Sequence, residues 1–115
     1  MPIYPTAYGM PLGGGLGRNG LGKFEQRILF AVRELQDGGY AVSVAASIER
    51  RFGGPVSLGA AYATLARLER KGLISSVLGE PTPVRGGRQK RFYRATENGL
   101  RALADAIQAD ARMQA

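Results

Sequence analysis

From Lys23 to Gln36 the apolar residues Phe24, Ile28, Val32 and Leu35 recur three or four positions apart, which gathers them on one face of an α-helix. Gly38-Gly39 end that helix, because glycine adopts the turned-back conformations a helix terminus needs. After Tyr40-Ala41-Val42 a short second helix is predicted from about Ser43 to Arg51, burying Ala46 and contacts on the Phe52 side and closed by Gly53-Gly54-Pro55. Ser57 has the side-chain oxygen of an N-cap, so a third helix runs from there to about Lys71, with Gly72 as its stop. Leu73 to Leu78 is rich in branched residues and reads as a strand. Glu80 to Lys90 holds two prolines and Gly86-Gly87 and reads as a loop. Arg91 to Ala95 is the returning strand, with Phe92 and Tyr93 on opposite faces, and Thr96 caps a last helix that reaches near the C-terminus. The order is helix, helix, helix, hairpin, helix. The fold class is mainly α with a small β-hairpin, a winged helix-turn-helix followed by a C-terminal dimerisation helix.

Three regions follow: an arm over 1–22, a winged-helix domain over 23–95, and a dimerisation helix over 96–115. The arm holds seven glycines and three prolines, a composition that builds no packed element. Gly15-Leu16-Gly17-Arg18-Asn19-Gly20 fits a dinucleotide fingerprint, and Gly17 to Lys23 nearly fits a P-loop. Both motifs need a preceding buried strand, which Met10-Pro11-Leu12 does not offer, and Phe24 stands where a magnesium-binding hydroxyl belongs. Nucleotide binding is not expected.

Composition narrows the chemistry. With 0 His and 0 Cys among 115 residues, thiolate sites, most metal sites and the common nucleophile–base pairs are excluded, so neither cofactor, metal nor enzymatic activity is expected. No apolar run is long enough to span a bilayer, and the start lacks a signal-peptide pattern, so the expected location is cytoplasmic, with no membrane partner. The net charge is +7, and six of those charges fall between Ser57 and Arg94. Charge concentrated on one helix and one hairpin calls for a polyanion.

On the third helix, Leu58, Ala61, Tyr62, Leu65, Leu68 and Glu69 form one stripe, and Ala60, Ala63, Thr64, Arg67 and Lys71 lie opposite. Small residues near the N-terminal end admit base edges, and cations further along meet phosphates. Ser57, Gly59, Ala60, Ala63, Thr64 and Arg67, together with Tyr62, are the candidate DNA contacts. Arg85, Arg88, Lys90 and Arg91 place four cations on the glycine-containing hairpin, and a phosphate backbone relieves their mutual repulsion.

The run from Ser57 to Leu73, with Gly59-x-x-Tyr62-x-x-Leu65-x-Arg67-Leu68-Glu69, resembles the recognition helix of the PadR family. Arg91-Phe92-Tyr93-Arg94-Ala95-Thr96-Glu97-Asn98-Gly99 resembles that family's second wing strand and the start of its last helix, and the similarity extends from about Leu21 to Leu103. The resemblance implies a homodimeric, ligand-responsive repressor whose C-terminal helix joins the protomers. It implies that Tyr62 is partly core and partly a backbone anchor through its hydroxyl. Glu69 is expected to face inward and pair with Arg91 or Arg94. The single short C-terminal helix fits a compact branch of the family. The 0 Trp count does not fit the stacked-drug pocket of some relatives, and the arm lies outside the family pattern.

The last helix carries two apolar strips, one with Leu100, Leu103, Ala104, Ile107 and Ala111 and another with Ala102, Ala106, Ala109 and Met113. A surface helix needs one such strip, so the second calls for a partner, and a two-fold-related copy is the commonest. Leu100, Leu103, Ala106, Ile107 and Met113 are the candidate interface. The resulting reading is a dimer bound to near-palindromic double-stranded DNA, with the third helix in the major groove and the wing on the backbone or minor groove. A small-molecule effector is a further possible partner. The rival is a winged-helix module that binds protein and does not read DNA, against which the basic wing argues.

Overall fold

The computed structural model describes residues 20–80 and 89–114. The arm up to residue 19 and the hairpin tip 81–88, with Arg85 and Arg88, lie outside the described residues. Helix α1 spans Lys23–Leu35 and buries Ile28, Leu29, Ala31 and Val32. A single 3₁₀ turn, Gln36–Gly38, follows. Helix α2, Ala41–Phe52, starts two residues earlier than its sequence suggests. The cause is Ser43, whose hydroxyl accepts from the Tyr40 N–H at 2.9 Å and donates to the Gly38 carbonyl at 2.7 Å, satisfying groups a helix start leaves open. Its buried side is Ala41, Val44, Ala45 and Ile48, so the inward alanine is Ala45, while Ala46 is half-exposed.

Helix α3 spans Leu58–Arg70, and the Ser57 hydroxyl accepts from the Ala60 N–H at 3.1 Å, as an N-cap does. Gly72, at φ 78°, turns the chain out of the helix in a conformation that favours glycine. Strands β1, Ile74–Leu78, and β2, Arg91–Ala95, pair antiparallel with Ile74 opposite Ala95 and Leu78 opposite Arg91. Tyr93 is buried, while Phe92 on the other face meets the Tyr40 ring edge-on at 5.5 Å. The Tyr93 N–H also donates to the Gly39 carbonyl at 2.8 Å, so the segment between α1 and α2 runs beside β2 and anchors the hairpin base.

Helix α4, Glu97–Gln114, begins under an interlocking set of bonds. The Thr96 hydroxyl accepts from the Gly99 N–H at 3.0 Å and donates to the Gly72 carbonyl at 2.8 Å, while the Thr96 N–H donates to the Leu73 carbonyl at 3.0 Å. Gly99 is buried because its Cα lies directly on the Leu73 carbonyl, where a side chain has no room. Among the described residues, four helices and two strands contribute to one core, in which Ile28, Leu29, Leu65, Leu68, Ile74 and Leu103 are fully enclosed. Burial of each such side chain stabilises the fold by about 1.5–3 kcal/mol. Among the described residues no helix is long and apolar enough to cross a membrane, and no group of acidic residues could hold a metal ion.

Candidate nucleic-acid interface

The buried line of α3 is Ala61, Thr64, Leu65 and Leu68, rotated away from the stripe centred on Leu58. Leu58 itself is 44% exposed, because at the first turn it stands beyond the edge of the core. This rotation corrects two assignments. Thr64, expected on the outward face, is 2% exposed, and Tyr62, expected partly in the core, is 55% exposed. Ser57, Gly59, Ala60 and Ala63 are exposed as expected. The open face continues through Ala66 to Arg70, two residues the sequence reading missed. Ala61, Leu65 and Leu68 alone, at i, i+4 and i+7, would have located both. Arg70 makes no ion pair among the described residues. The face thus presents Gly59, Tyr62, Ala63 and Ala66 with a free guanidinium at its far end, small residues first and charge after.

Arg67 is instead turned back toward α1. Its Nε donates to Glu25 Oε2 at 2.8 Å and its Nη2 to the Thr64 hydroxyl at 3.3 Å. Lys71 Nζ reaches both Glu25 oxygens at 3.2 Å and the Gly20 carbonyl at 2.9 Å. Glu25 is buried, and its Oε1 also accepts from the Gly22 N–H at 3.0 Å. Burial pushes the Glu25 carboxyl upward, but the Gly22 N–H, Arg67 and Lys71 outweigh it and hold the pKa below the ordinary glutamate value. No apolar or charge pattern along the chain marked Glu25, since these partners lie more than forty positions away for the two cations.

In the hairpin, Arg91 is exposed and donates from Nη1 to the Ser76 hydroxyl at 3.0 Å, and that hydroxyl donates to Glu69 Oε2 at 2.8 Å. Glu69 is therefore linked to Arg91 through a serine, not directly as expected. Arg94 pairs with Asp37 at 3.1 Å instead. Burial, and then the nearby Glu69 charge, raise the Tyr93 pKa, so its hydroxyl stays neutral beside this chain of bonds. Lys90 is exposed, its ammonium 5.3 Å from the Tyr40 ring centroid. The Gly79 N–H donates to the Lys90 carbonyl at 2.7 Å, and the Phe92 ring occupies the space a side chain at Gly79 would need. The base of the wing is thus fixed by packing, and Lys90 and Arg91 are both exposed there.

The profile of the transcriptional regulator PadR-like family matches residues 28–105. The chain belongs to the PadR family. Among solved structures, a PadR-like transcriptional regulator from Bacillus cereus strain ATCC 14579 superposes with a TM-score of 0.65 at 22% identity, over 79% of this chain and 84% of that one. A PadR-like transcription factor from Bacteroides fragilis gives 0.68 at 21% identity, over 79% and 82%. A PadR family transcription regulator from Clostridium difficile R20291 gives 0.60 at 28% identity, over 77% and 90%. No curated protein sequence matches with significance. Family membership makes this chain a transcriptional regulator of the DNA-binding, winged-helix kind.

The last helix of this PadR chain divides differently from its two apolar strips. Leu103, at 1% exposed, and Ala106, at 5%, pack into the protomer's own core and are unavailable to a partner. The reason is rotational again, since Gly99 must face the Leu73 carbonyl and so brings residues three to four and seven positions on to the core. Leu100 and Ile107 remain exposed, in line with Ala104 and Ala111, and Met113 projects beyond the body at 85%. Beside Ile107, between α1, the end of α2 and α4, lies an open groove of about 360 Å³ floored by Phe30, Phe52 and Leu103. Arg27 and Arg51 stand over the Phe52 and Phe30 rings at 4.3 and 4.7 Å.

Proposed function

We propose that this PadR-family chain is a dimeric repressor that binds near-palindromic double-stranded DNA and releases it in response to a small-molecule effector. The observation that carries the reading is the uncovered face of α3, with Gly59, Ala63 and Ala66 leading to an Arg70 that has no ion-pair partner among the described residues. Small side chains let the helix enter a major groove, and the guanidinium then meets the backbone. Lys90 and Arg91, with Arg85 and Arg88 further along the chain, supply the wing's charge toward backbone or minor groove. The exposed line Leu100, Ala104, Ile107 and Ala111 is apolar and unpaired within the protomer, which suits a two-fold contact between copies. Two linked protomers read two half-sites one helical turn apart, hence a near-palindrome. The groove floored by Phe30 and Phe52 lies between α1, the end of α2 and α4, so an effector seated there would act on how α4 sits against the first two helices.

Selection of binding sites from random duplex DNA, followed by sedimentation of the protein with the selected duplex, tests the reading. The expected result is an inverted repeat bound by two chains. Enrichment of no sequence, or a single half-site bound by one chain, would overturn it.

A further inference from the structure

Arg67 and Lys71 lie on the flank of the exposed face of α3, where cations ordinarily meet phosphates. Lys71 has none of its ammonium hydrogens left for that purpose. They go to the Gly20 carbonyl at 2.9 Å and to the two Glu25 oxygens at 3.2 Å, three acceptors for three donors. Arg67 has its Nε on Glu25 and one Nη on Thr64. The carboxylate they share is itself buried and held by the Gly22 N–H at 3.0 Å, so it is fixed at the junction where the arm enters α1. Such a ring of one backbone N–H, one guanidinium and one ammonium is the donor set a phosphate oxygen would seek, already filled from within. Arg70, one turn along the open face, has no such partner among the described residues.

We propose that Glu25 is a specificity-determining residue, which withholds Lys71 and one edge of Arg67 from the DNA backbone and so lowers the chain's affinity for duplex of any sequence. The inference rests on α3 being the DNA-reading helix. Affinity from phosphate contacts is blind to sequence, and specificity is the ratio of operator to random binding. A carboxylate that neutralises flank cations therefore reduces the denominator while the face of Gly59, Ala63 and Ala66 keeps the numerator. Its acid–base state supports the role, since Glu25 stays ionised at neutral pH despite burial.

The test uses the full chain and fluorescence anisotropy on a random-sequence duplex and on a selected operator, across a salt series. Glu25→Gln keeps the size and an acceptor for Gly22 but removes the charge. The expected result is tighter random-duplex binding, on the order of tenfold at low salt, and a slope of log K against log salt steeper by about 0.9, one added phosphate contact. Operator binding should change less, so the operator-to-random ratio falls. Lys71→Met added to Glu25→Gln should return the slope to its starting value. Lys71→Met alone should leave the slope as it is, a result that does not depend on how well Glu25→Gln folds. A slope unchanged or shallower in folded Glu25→Gln would overturn the proposal, as would a slope reduced by Lys71→Met alone. A parent chain that binds no duplex at low salt would instead remove the DNA-reading assignment of α3 on which the proposal stands.

Discussion

Replacing Gly99 with alanine separates what helix propensity predicts from what this structure predicts, because the two give opposite signs. Gly99 lies in the first turn of α4, where alanine in place of glycine favours the helix by up to about 1 kcal/mol on propensity alone. The added Cβ, however, would overlap the Leu73 carbonyl oxygen and stand 2.9 Å from the Leu73 carbonyl carbon and 3.3 Å from its Cα. These are backbone atoms, so no side chain can rotate away. Either α4 lifts from the start of β1 or the turn at Gly72-Leu73 shifts. Lifting α4 stretches the Thr96 hydroxyl bond to Gly72 and the Thr96 N–H bond to Leu73, at 2.8 and 3.0 Å, and loosens Leu103 and Ala106 in the core. Overpacking of this kind costs about 1–3 kcal/mol. Two lost hydrogen bonds add about 1 kcal/mol each. Set against the propensity gain, the net loss is about 2–4 kcal/mol. For a domain of this size that lowers Tm by roughly 10–25 °C. Thermal unfolding followed by far-UV circular dichroism, with a urea titration for the free energy, reads the change directly. A Gly99→Ala chain as stable as the parent, or more stable, would refute the packing argument and leave propensity as the governing effect.

Ala63→Glu should abolish operator binding with an unchanged melting curve, since the side chain is exposed and a carboxylate there faces phosphate and base acceptors; normal binding would mean that α3 is not the reader. Arg70→Ala should weaken operator and random duplex alike and make the salt slope shallower by about 0.9, as loss of one phosphate contact does. Arg67→Ala should act on stability first, by about 1.5–3 kcal/mol for a hydrogen bond to a buried charge, seen in a urea titration. Glu25 gives stability a pH dependence of known sign. Its folded pKa is depressed by Gly22, Arg67 and Lys71, so its contribution is complete above the unfolded glutamate value and lost as the pH falls through the folded one. Acid titration monitored by circular dichroism should therefore show a loss of stability below about pH 4.3 that is smaller in Glu25→Gln. Leu100→Asp with Ile107→Asp should yield a folded monomer by analytical ultracentrifugation, both side chains being exposed in the protomer. Truncation at Ala95 is a poorer version of that experiment, because it removes Leu103 and Ala106 from the core.

Element order was legible because each boundary is set by a local chemical signal. Ser57 caps α3, Gly72 leaves it, and Thr96 caps α4, and all three act through bonds to residues within a few positions. The start of α2 was displaced for the same kind of reason, seen from the other side. The sequence pattern puts Ser43 at the first helical position, whereas its hydroxyl bonds backward to Tyr40 and Gly38 and so serves a helix that has already begun. Local chemistry says that a terminus is near; which residue of a serine-containing stretch does the capping depends on where the preceding turn lies.

Rotation of a helix about its axis is a different kind of quantity, and there the sequence misled. Leu58 looks like a core residue and Thr64 does not, yet the helix is set by Ala61, Leu65 and Leu68 meeting α1, and Thr64 follows them inward. On α4 the decisive residue is Gly99, which carries no hydrophobic weight in a periodicity count and nonetheless fixes the helix face by what it permits to approach. Charge misled similarly. Arg67, Arg70 and Lys71 are equal in a count of cations, but two of them end on a buried carboxylate contributed by another helix and one does not. A sum of charges along the chain records how much positive potential the protein could present. Which part is left open depends on partners brought together only by the fold, and Glu25, a single acidic residue on α1, takes up two of the three cations at the end of α3.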